Sequence, residues 1–179
     1  MVTTQRLTAG DLCNIKNDSE DYELIEGVLS PMVPPGAEHA IVQIRLGSLV
    51  LQYTDVHQSG EVLGEGGFIL ATDPDSVLAP DLAYVEASRL PDDLTGFLAL
   101  APDLAVEIVS PGNSPGEIER KVAIYLLAGT PLVWVVYPRQ RQIVVHTPGD
   151  APRVLGESDE LSGGDVLPGL VIPVARIFR

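Results

Sequence analysis

The chain has a single cysteine, Cys13, among its 179 residues. One thiol cannot form an internal disulfide and leaves too few thiolates for a cysteine-rich zinc site. The chain also lacks a run of the roughly 18–20 apolar residues that a membrane helix needs. Its first residues lack the apolar segment of a signal peptide. These absences predict a soluble, cytoplasmic protein without structural disulfides.

Basic residues are also scarce. The chain has 11 lysines and arginines against 25 aspartates and glutamates, so its formal net charge at pH 7 is −14. A surface of this sign repels phosphate backbones on average, so a DNA site would need a local basic patch or bound metal ions. The alternative is an acidic surface that serves solubility and is unrelated to the ligand.

The rest of the composition is that of an ordinary globular protein, with 45% hydrophobic and 20% charged residues. Such a chain can bury one sizeable core, which predicts a single domain over residues 1–179. Hydrophobic periodicity and turn residues predict mixed strands and helices. Strands are predicted over 22–30 (a hairpin turning at Glu26-Gly27), 61–63, 68–71, 82–85, 103–109, 132–137, 142–146 and 153–155. Helices are predicted near 8–14, 38–52 and 174–178, with a polar loop over 16–21.

The helix that begins after Ser114 is the best-specified element. Ser114, Pro115 and Glu117 combine an N-cap, a proline at the first helical position and a capping-box glutamate. Gly129 and Pro131 end this helix. Because it connects the apolar runs 103–109 and 132–137, we expect a right-handed crossover between two parallel strands.

Glu107 lies inside the otherwise apolar strand 103–109. A buried carboxylate is costly unless it is paired, hydrogen-bonded or bound to a metal. Strand alternation places Glu107 on the face of Ala105, opposite Leu104, Val106 and Ile108. Open α/β sheets bind ligands near the C-terminal ends of their strands, which makes Glu107 a candidate site residue. The alternative is a strand-end glutamate that faces solvent or pairs with a lysine.

Two further residues could join Glu107. Lys121 follows Ile118 by three positions, beside the apolar face of its helix, where it could reach the carboxylate and orient an attacking water. Its alternative role is to cover the edge of the core with its aliphatic stem. Asp81 precedes the strand at 82–85, and two carboxylates from neighbouring strands would form an oxygen-rich site for Mg²⁺ or Mn²⁺. Its alternative role is a local turn or cap.

Pro80-Asp81, then Glu107 in an apolar strand, then Lys121 on the next helix resembles the PD-(D/E)xK nuclease superfamily. The chain is more closely similar to the bacterial Uma-two family of restriction-endonuclease-like proteins, and the similarity spans nearly its whole length. The similar stretches are 22–27, 35–39, 79–83, 101–111, 120–125, 129–134 and 167–170. The resemblance implies an α/β (α+β) fold with a mixed central sheet flanked by helices and an N-terminal β-hairpin.

The resemblance also implies roles for individual residues. Asp81 and Glu107 would bind Mg²⁺ or Mn²⁺, with the backbone carbonyl of Ile108 as a further ligand. Lys121 would be the catalytic lysine, supplied by the helix. In the superfamily's usual pattern the lysine comes two residues after the acid, where this chain has Val109.

Residues outside this triad are also implied at the site. Glu23 resembles the additional acidic residue of the family. Strand alternation separates Glu23 from Glu26, so only one of the two can face the site. His39 and Gln43 are one helical turn apart and could line the cleft.

The leading hypothesis is an Mg²⁺- or Mn²⁺-dependent endonuclease that hydrolyses DNA. Many nucleases of the superfamily act as dimers on two strands, so the resemblance also admits a homodimer. The only candidate basic cluster for a phosphate backbone is Arg120, Arg139 and Arg141. Two alternatives stay open. The chain could be a non-catalytic binding or regulatory module on a nuclease fold, or a metal-dependent hydrolase of a small phosphorylated substrate.

Overall fold

The computed structural model describes residues 6–15 and 21–178, so most of the loop predicted over 16–21 lies outside the described residues. Three helices are described: α1 (Ala9–Asn14), α2 (Ala37–His57) and α3 (Pro115–Leu127). The first strands are β1 (Tyr22–Ile25), β2 (Val28–Pro31), β3 (Gly60–Leu63), β4 (Phe68–Ala71), β5 (Ser76–Leu78) and β6 (Leu82–Glu86). They are followed by β7 (Leu104–Ile108), β8 (Leu132–Tyr137), β9 (Gln142–His146), β10 (Arg153–Leu155), β11 (Glu160–Ser162) and β12 (Val171–Pro173).

A mixed sheet of six strands forms the centre of the fold, in the order β10-β9-β8-β7-β6-β3. Strands β7 and β8 are parallel and are joined through α3, as the sequence predicts. The other neighbours in this sheet are antiparallel, including β9 and β10, which were both predicted as strands. The predicted mixed central sheet is therefore confirmed.

A second sheet has the order β2-β1-β5-β4 and contains the predicted N-terminal hairpin. Its strand β5 was not predicted, and neither were β11 and β12, which pair with each other. Each of these three strands has only three residues. Segments of three residues carry little periodicity, so sequence patterns find some of them, such as β10, and miss others, whose strand conformation depends on their partners in the tertiary structure.

The two faces of the central sheet bury different apolar clusters. Leu104, Val106 and Ile108 of β7 pack in the cluster that contains Val42, Leu46 and Val50 of α2. Ala105, on the other face, packs with Ile118, Val122 and Tyr125 of α3. This confirms the alternation predicted for β7 and places Glu107 on the side of α3.

Helix α3 begins at the predicted N-cap and proline, but the predicted capping box is wrong, since the Glu117 carboxylate bonds another residue than Ser114. The Ser114 side chain accepts a hydrogen bond from the backbone N–H of Glu117 at 3.2 Å. The carboxylate of Glu117 accepts a hydrogen bond from Nδ2 of Asn113, in the preceding loop, at 3.1 Å.

Two other predicted helices differ in extent. Helix α2 extends past its predicted end to His57, and the segment near 174–178 contains a 3₁₀ turn over Val174–Arg176. Within residues 6–15 and 21–178, no helix has both the length and the apolar character needed to cross a membrane.

The turn of the N-terminal hairpin needs a glycine at position 27. Gly27 has φ +78°, and a Cβ added there would lie 2.5 Å from Cβ of Arg6.

Gly96 is a control for this clash, because it has a φ of +87° but nothing lies within 4 Å of an added Cβ. We expect Gly96→Ala to lower the free energy of unfolding by about 1–2 kcal/mol, the cost of a left-handed alanine. Gly27→Ala should lower the free energy of unfolding by roughly 1–3 kcal/mol more than Gly96→Ala does, because the added Cβ clashes with Arg6. Urea unfolding of both variants tests this, and equal losses would show that Arg6 moves aside freely.

Candidate active site

A cavity of about 610 Å³ opens between the second sheet, the start of α2 and the helix α3. Its walls include every residue that the sequence nominated for the metal site and its lysine. These residues are Glu23, Asp81, Glu107, Ile108 and Lys121. Glu23 precedes Glu107 and Lys121 by more than 80 positions in the chain. These residues meet in one cavity because the two sheets and α3 converge there.

Asp81 and Glu107 are brought together by the register of β6 and β7. Leu82 pairs with Val106 in this antiparallel ladder, so Asp81, one residue before Leu82, lies across from Glu107. Directly opposed residues project from the same face of a sheet with neighbouring Cβ atoms. The Asp81 carboxylate accepts a hydrogen bond from the Ile108 N–H at 2.5 Å, which attaches it to β7 rather than to a local turn.

Glu107 is buried, with 4% of its surface exposed, so a solvent-facing strand end is wrong. Its Oε1 accepts a hydrogen bond from the Tyr125 hydroxyl at 2.7 Å. Its Oε2 lies 3.1 Å from Nζ of Lys121. The alternative that Glu107 pairs with a lysine is therefore observed, and the lysine is the one nominated for catalysis.

Lys121 connects two carboxylates. Its Nζ lies 2.8 Å from Oε2 of Glu23, in addition to its contact with Glu107. Only 8% of Lys121 is exposed, so its ammonium does not extend into water as a lysine covering the core edge would. Glu26 lies in the hairpin turn and pairs with Arg120 instead. Glu23 is thus the hairpin glutamate that faces the cavity.

Burial and charge determine the protonation of this cluster. Burial raises the pKa of Glu107 to about 7; Lys121 lowers it, while Glu23 and Asp81 raise it further. Burial by itself would lower the pKa of Lys121, but the carboxylates of Glu107 and Glu23 raise it above its ordinary value. Burial and the same two carboxylates raise the pKa of Tyr125. Lys121 is therefore charged and Tyr125 is a protonated donor at neutral pH.

His39 and Gln43 both contact Asp81. The side chain of His39 approaches Oδ1 of Asp81 with Nε2 at 3.0 Å, and His39 lines the cavity. Burial lowers the pKa of His39, but its contact with Asp81 outweighs this and raises the value overall. Gln43 donates from Nε2 to the backbone carbonyl of Asp81 at 2.9 Å and to Glu65 at 3.3 Å. The first two turns of α2 thus fix the position of Asp81.

Two site residues were missed by sequence reasoning. Tyr125 was not nominated, although its position four residues after Lys121 places both on one side of the helix. Glu65 lines the cavity from the loop between β3 and β4, with φ +53°. Nothing in the local sequence of Glu65 predicts this, because its position depends on the contact with α2.

The donor atoms at the centre of the cavity fit an oxygen-liganded divalent cation. Among the described residues, no three His, Cys, Asp or Glu side chains converge as a ready-made metal cage. Mg²⁺ does not need one, since it keeps several waters and binds through one or two carboxylates plus substrate phosphates. Asp81 and Glu107 supply two carboxylates, and Ile108 lines the same cavity.

The chain was compared with known proteins. The family model described as "Uma2: Putative restriction endonuclease" matches residues 9–175. Among solved structures, the chain is similar to "a putative nuclease belonging to DUF820" from Anabaena variabilis, with a TM-score of 0.86 and 20% sequence identity. That similarity covers 96% of this chain and 97% of the other and shows a common fold. No curated protein matches the chain.

These findings confirm the resemblance drawn from the sequence and the restriction-endonuclease-like fold. The family description supports a nuclease-like function. Since the family model covers nearly all of the described residues, the chain belongs to the Uma2 family.

Proposed function

We propose that this protein is an Mg²⁺- or Mn²⁺-dependent nuclease that hydrolyses phosphodiester bonds of DNA. The observation that carries the proposal is the buried cluster in which Asp81 and Glu107 lie across from each other and Lys121 contacts Glu107. Charged groups are costly to bury, so a fold that keeps two acids and a lysine at one cavity has a use for them. Two-carboxylate sites with an adjacent lysine suit phosphoryl chemistry.

Asp81 and Glu107 would hold the divalent cation, with the Ile108 carbonyl as a further oxygen ligand. When bound, such an ion lowers the pKa of a water and polarises the phosphoryl oxygen. The cation would also offset the negative field of the cavity, which otherwise repels a phosphate in a chain of net charge −14. Binding of the phosphate and binding of the ion are therefore expected to support each other.

Lys121 would orient the attacking water and stabilise charge that develops on the phosphate. An ammonium has three N–H donors. Glu23 and Glu107 can take two of them, because both lie within 3.1 Å of Nζ. The third contact of Nζ, to Oε1 of Glu107, is longer, at 3.4 Å, so a water or a phosphoryl oxygen in the cavity could replace it. Glu23 in turn is fixed by the N–H of Ala79, which donates to its Oε1 at 2.9 Å.

One observation favours a second candidate, a binding or regulatory module without hydrolytic activity. Two of the three arginines nominated for the phosphate backbone are already engaged. Arg120 pairs with Glu26, and Arg141 pairs with Glu157 and donates to the Phe178 carbonyl. Fewer free cations weaken the affinity for a DNA backbone.

Calorimetric titration of the wild-type protein with Mn²⁺, followed by a plasmid-nicking assay on the same sample, separates the candidates. The proposed nuclease binds Mn²⁺ and nicks plasmid only when the metal is present. Binding without nicking would favour the module or an enzyme of small phosphorylated substrates. Absence of binding would refute the metal site itself.

Tyr125 tests how Glu107 is oriented toward a metal. Tyr125→Phe removes the hydroxyl that donates to Glu107 and should lower Mn²⁺ affinity roughly 10-fold or more, as for other groups that orient a metal ligand. Tyr84→Phe is the matched control, because Tyr84 is also buried and its hydroxyl donates at 2.8 Å to the Ser59 carbonyl, outside the cavity. Both variants should lose about 1 kcal/mol of stability. Equal Mn²⁺ affinities in the two variants would show that Tyr125 is only structural.

A further inference from the structure

A second, smaller cavity of about 240 Å³ lies beside the proposed active site. It shares Ser110, Pro111 and Asn113 with the main cavity, so the two are continuous along the loop between β7 and α3. Its other wall is the turn between β8 and β9, which contributes Arg139 and Gln140. A chain-like ligand in the main cavity could therefore extend into this one.

The charge of the smaller cavity differs from that of its neighbour. Among the described residues, six aspartates and glutamates line the main cavity, namely Asp21, Glu23, Glu65, Asp81, Glu107 and Glu117. No described acidic residue lines the smaller cavity, although the full sequence has 25 of them. The residues that line it are neutral apart from Arg139, and they include hydrogen-bonding side chains of Ser114, Tyr137 and Gln140. This lining suits an anion.

Arg139 is available to a ligand. Within residues 6–15 and 21–178 it has no ion-pair partner, in contrast to Arg120 and Arg141. It also has a defined position, since the Arg141 N–H donates to the Pro138 carbonyl at 3.0 Å and closes the turn around it. Arg141 anchors this turn through the Phe178 carbonyl at 2.8 Å. The backbone of this turn is therefore fixed, and the exposed Arg139 side chain at the cavity has no ion-pair partner among the described residues.

We propose that the cavity at Arg139 is a subsite for a phosphodiester group that neighbours the scissile phosphate on the same nucleic-acid strand. This inference rests on the proposed function of the main cavity. The guanidinium can bind two phosphate oxygens in parallel. The subsite supplies positive charge beside a catalytic cavity that is itself acidic. It thereby accounts for binding of a polyanion by a protein of net charge −14.

The test measures binding of a fluorescein-labelled duplex DNA by anisotropy, at several salt concentrations, with Ca²⁺ present and with EDTA. We expect Arg139→Ala to weaken binding roughly 10-fold, as for loss of a charge-assisted contact. The slope of log K against log salt should become shallower by about 0.9, the value for one phosphate contact. Arg139→Lys should retain the salt slope because it keeps the charge. Arg153→Ala is the matched control, since Arg153 is exposed on β10 and does not line the cavity.

Three results would overturn the subsite: a wild-type protein that does not bind the duplex, an Arg139→Ala variant with the wild-type slope, or equal losses in the Arg139 and Arg153 variants. Plasmid nicking by the wild type separates this inference from the proposed function. Nicking combined with an unchanged salt slope in Arg139→Ala would leave the nuclease intact and remove the subsite. A selective loss of DNA binding in Arg139→Ala without wild-type nicking would support the subsite and refute catalysis.

Discussion

Glu107→Gln is expected to abolish detectable Mn²⁺ binding and, with it, any metal-dependent hydrolysis. The substitution keeps the shape of the side chain but removes one of the two facing carboxylates, which belong to Glu107 on β7 and to Asp81 directly before β6. Loss of a direct ligand should exceed the roughly 10–100-fold cost of losing a group that merely orients one. Calorimetric Mn²⁺ titration measures the effect, with a thermal melt to establish that the variant is folded.

Glu65→Gln is the control for this experiment. Glu65 lines the same cavity, so the substitution also removes one negative charge from it. Its carboxylate contacts Gln43, however, and is not one of the two facing carboxylates, Asp81 and Glu107, that would bind the metal. We expect Glu65→Gln to bind Mn²⁺ within a few fold of the wild type, since it changes only the surrounding field. Equal losses in the two variants would mean that the cavity attracts cations by charge alone.

Lys121→Met is expected to retain Mn²⁺ binding and to lower the hydrolysis rate by roughly 100- to 1000-fold, the usual cost of losing one donor that stabilises transition-state charge. It should also destabilise the fold. Glu23 and Glu107 are each only 4% exposed. Removing the ammonium leaves both buried carboxylates without the cation that they share. Breaking a buried ion pair in this way costs about 3–5 kcal/mol.

The double variant Glu23→Gln/Lys121→Met separates the two effects. It removes one positive and one negative charge together, so most of the lost stability should return. Hydrolysis should stay low, because the donor to the phosphate is still missing. Recovery of nicking in the double variant would show that Lys121 acts by neutralising Glu23 and Glu107 rather than in catalysis. Urea unfolding and the plasmid assay on the same preparations give both readouts.

The buried cluster reconciles an acidic protein with a proposed phosphate-binding site. Lys121 is charged because two carboxylates surround it, and Glu107 has a raised pKa because it is buried beside other acids. The cavity thus has more negative than positive groups before a cation binds. If the proposed function holds, we expect affinity for a phosphate to depend on the bound metal, which would limit adventitious binding of nucleic acid when the metal is absent.

Much of the fold was predictable because its main elements carry strong local signals. Strand β7 is a continuous apolar run, and α3 has an N-cap at Ser114 and a stop at Gly129. Such signals act through neighbouring residues and do not need tertiary contacts. The three-residue strands β5, β11 and β12 lack them, and α2 runs further than predicted, to His57.

The candidate site, like the fold, was predictable where its residues carry a local signal. A glutamate inside an apolar strand is conspicuous, and the position of Lys121 beside the apolar face of α3 was readable from helical spacing. Tyr125 was not recognised, because a tyrosine among apolar residues is indistinguishable from a core residue until its hydroxyl partner is known. Glu65 and the choice of Glu23 over Glu26 depended on contacts between distant segments.

By itself, the sequence determined which residues could form strands and helices, the parallel β7–α3–β8 unit and the side of β7 on which Glu107 lies. These properties follow from periodicity and capping, which operate over a few residues. Within residues 6–15 and 21–178, only the tertiary structure decided that Arg120 and Arg141 have ion-pair partners and Arg139 has none. It also decided that Asp81 lies across from Glu107 and that Lys121 is shared by Glu23 and Glu107. Each of these is a contact between segments far apart in the chain. Such contacts depend on strand register and on the packing of α3 against two sheets, which no local pattern encodes.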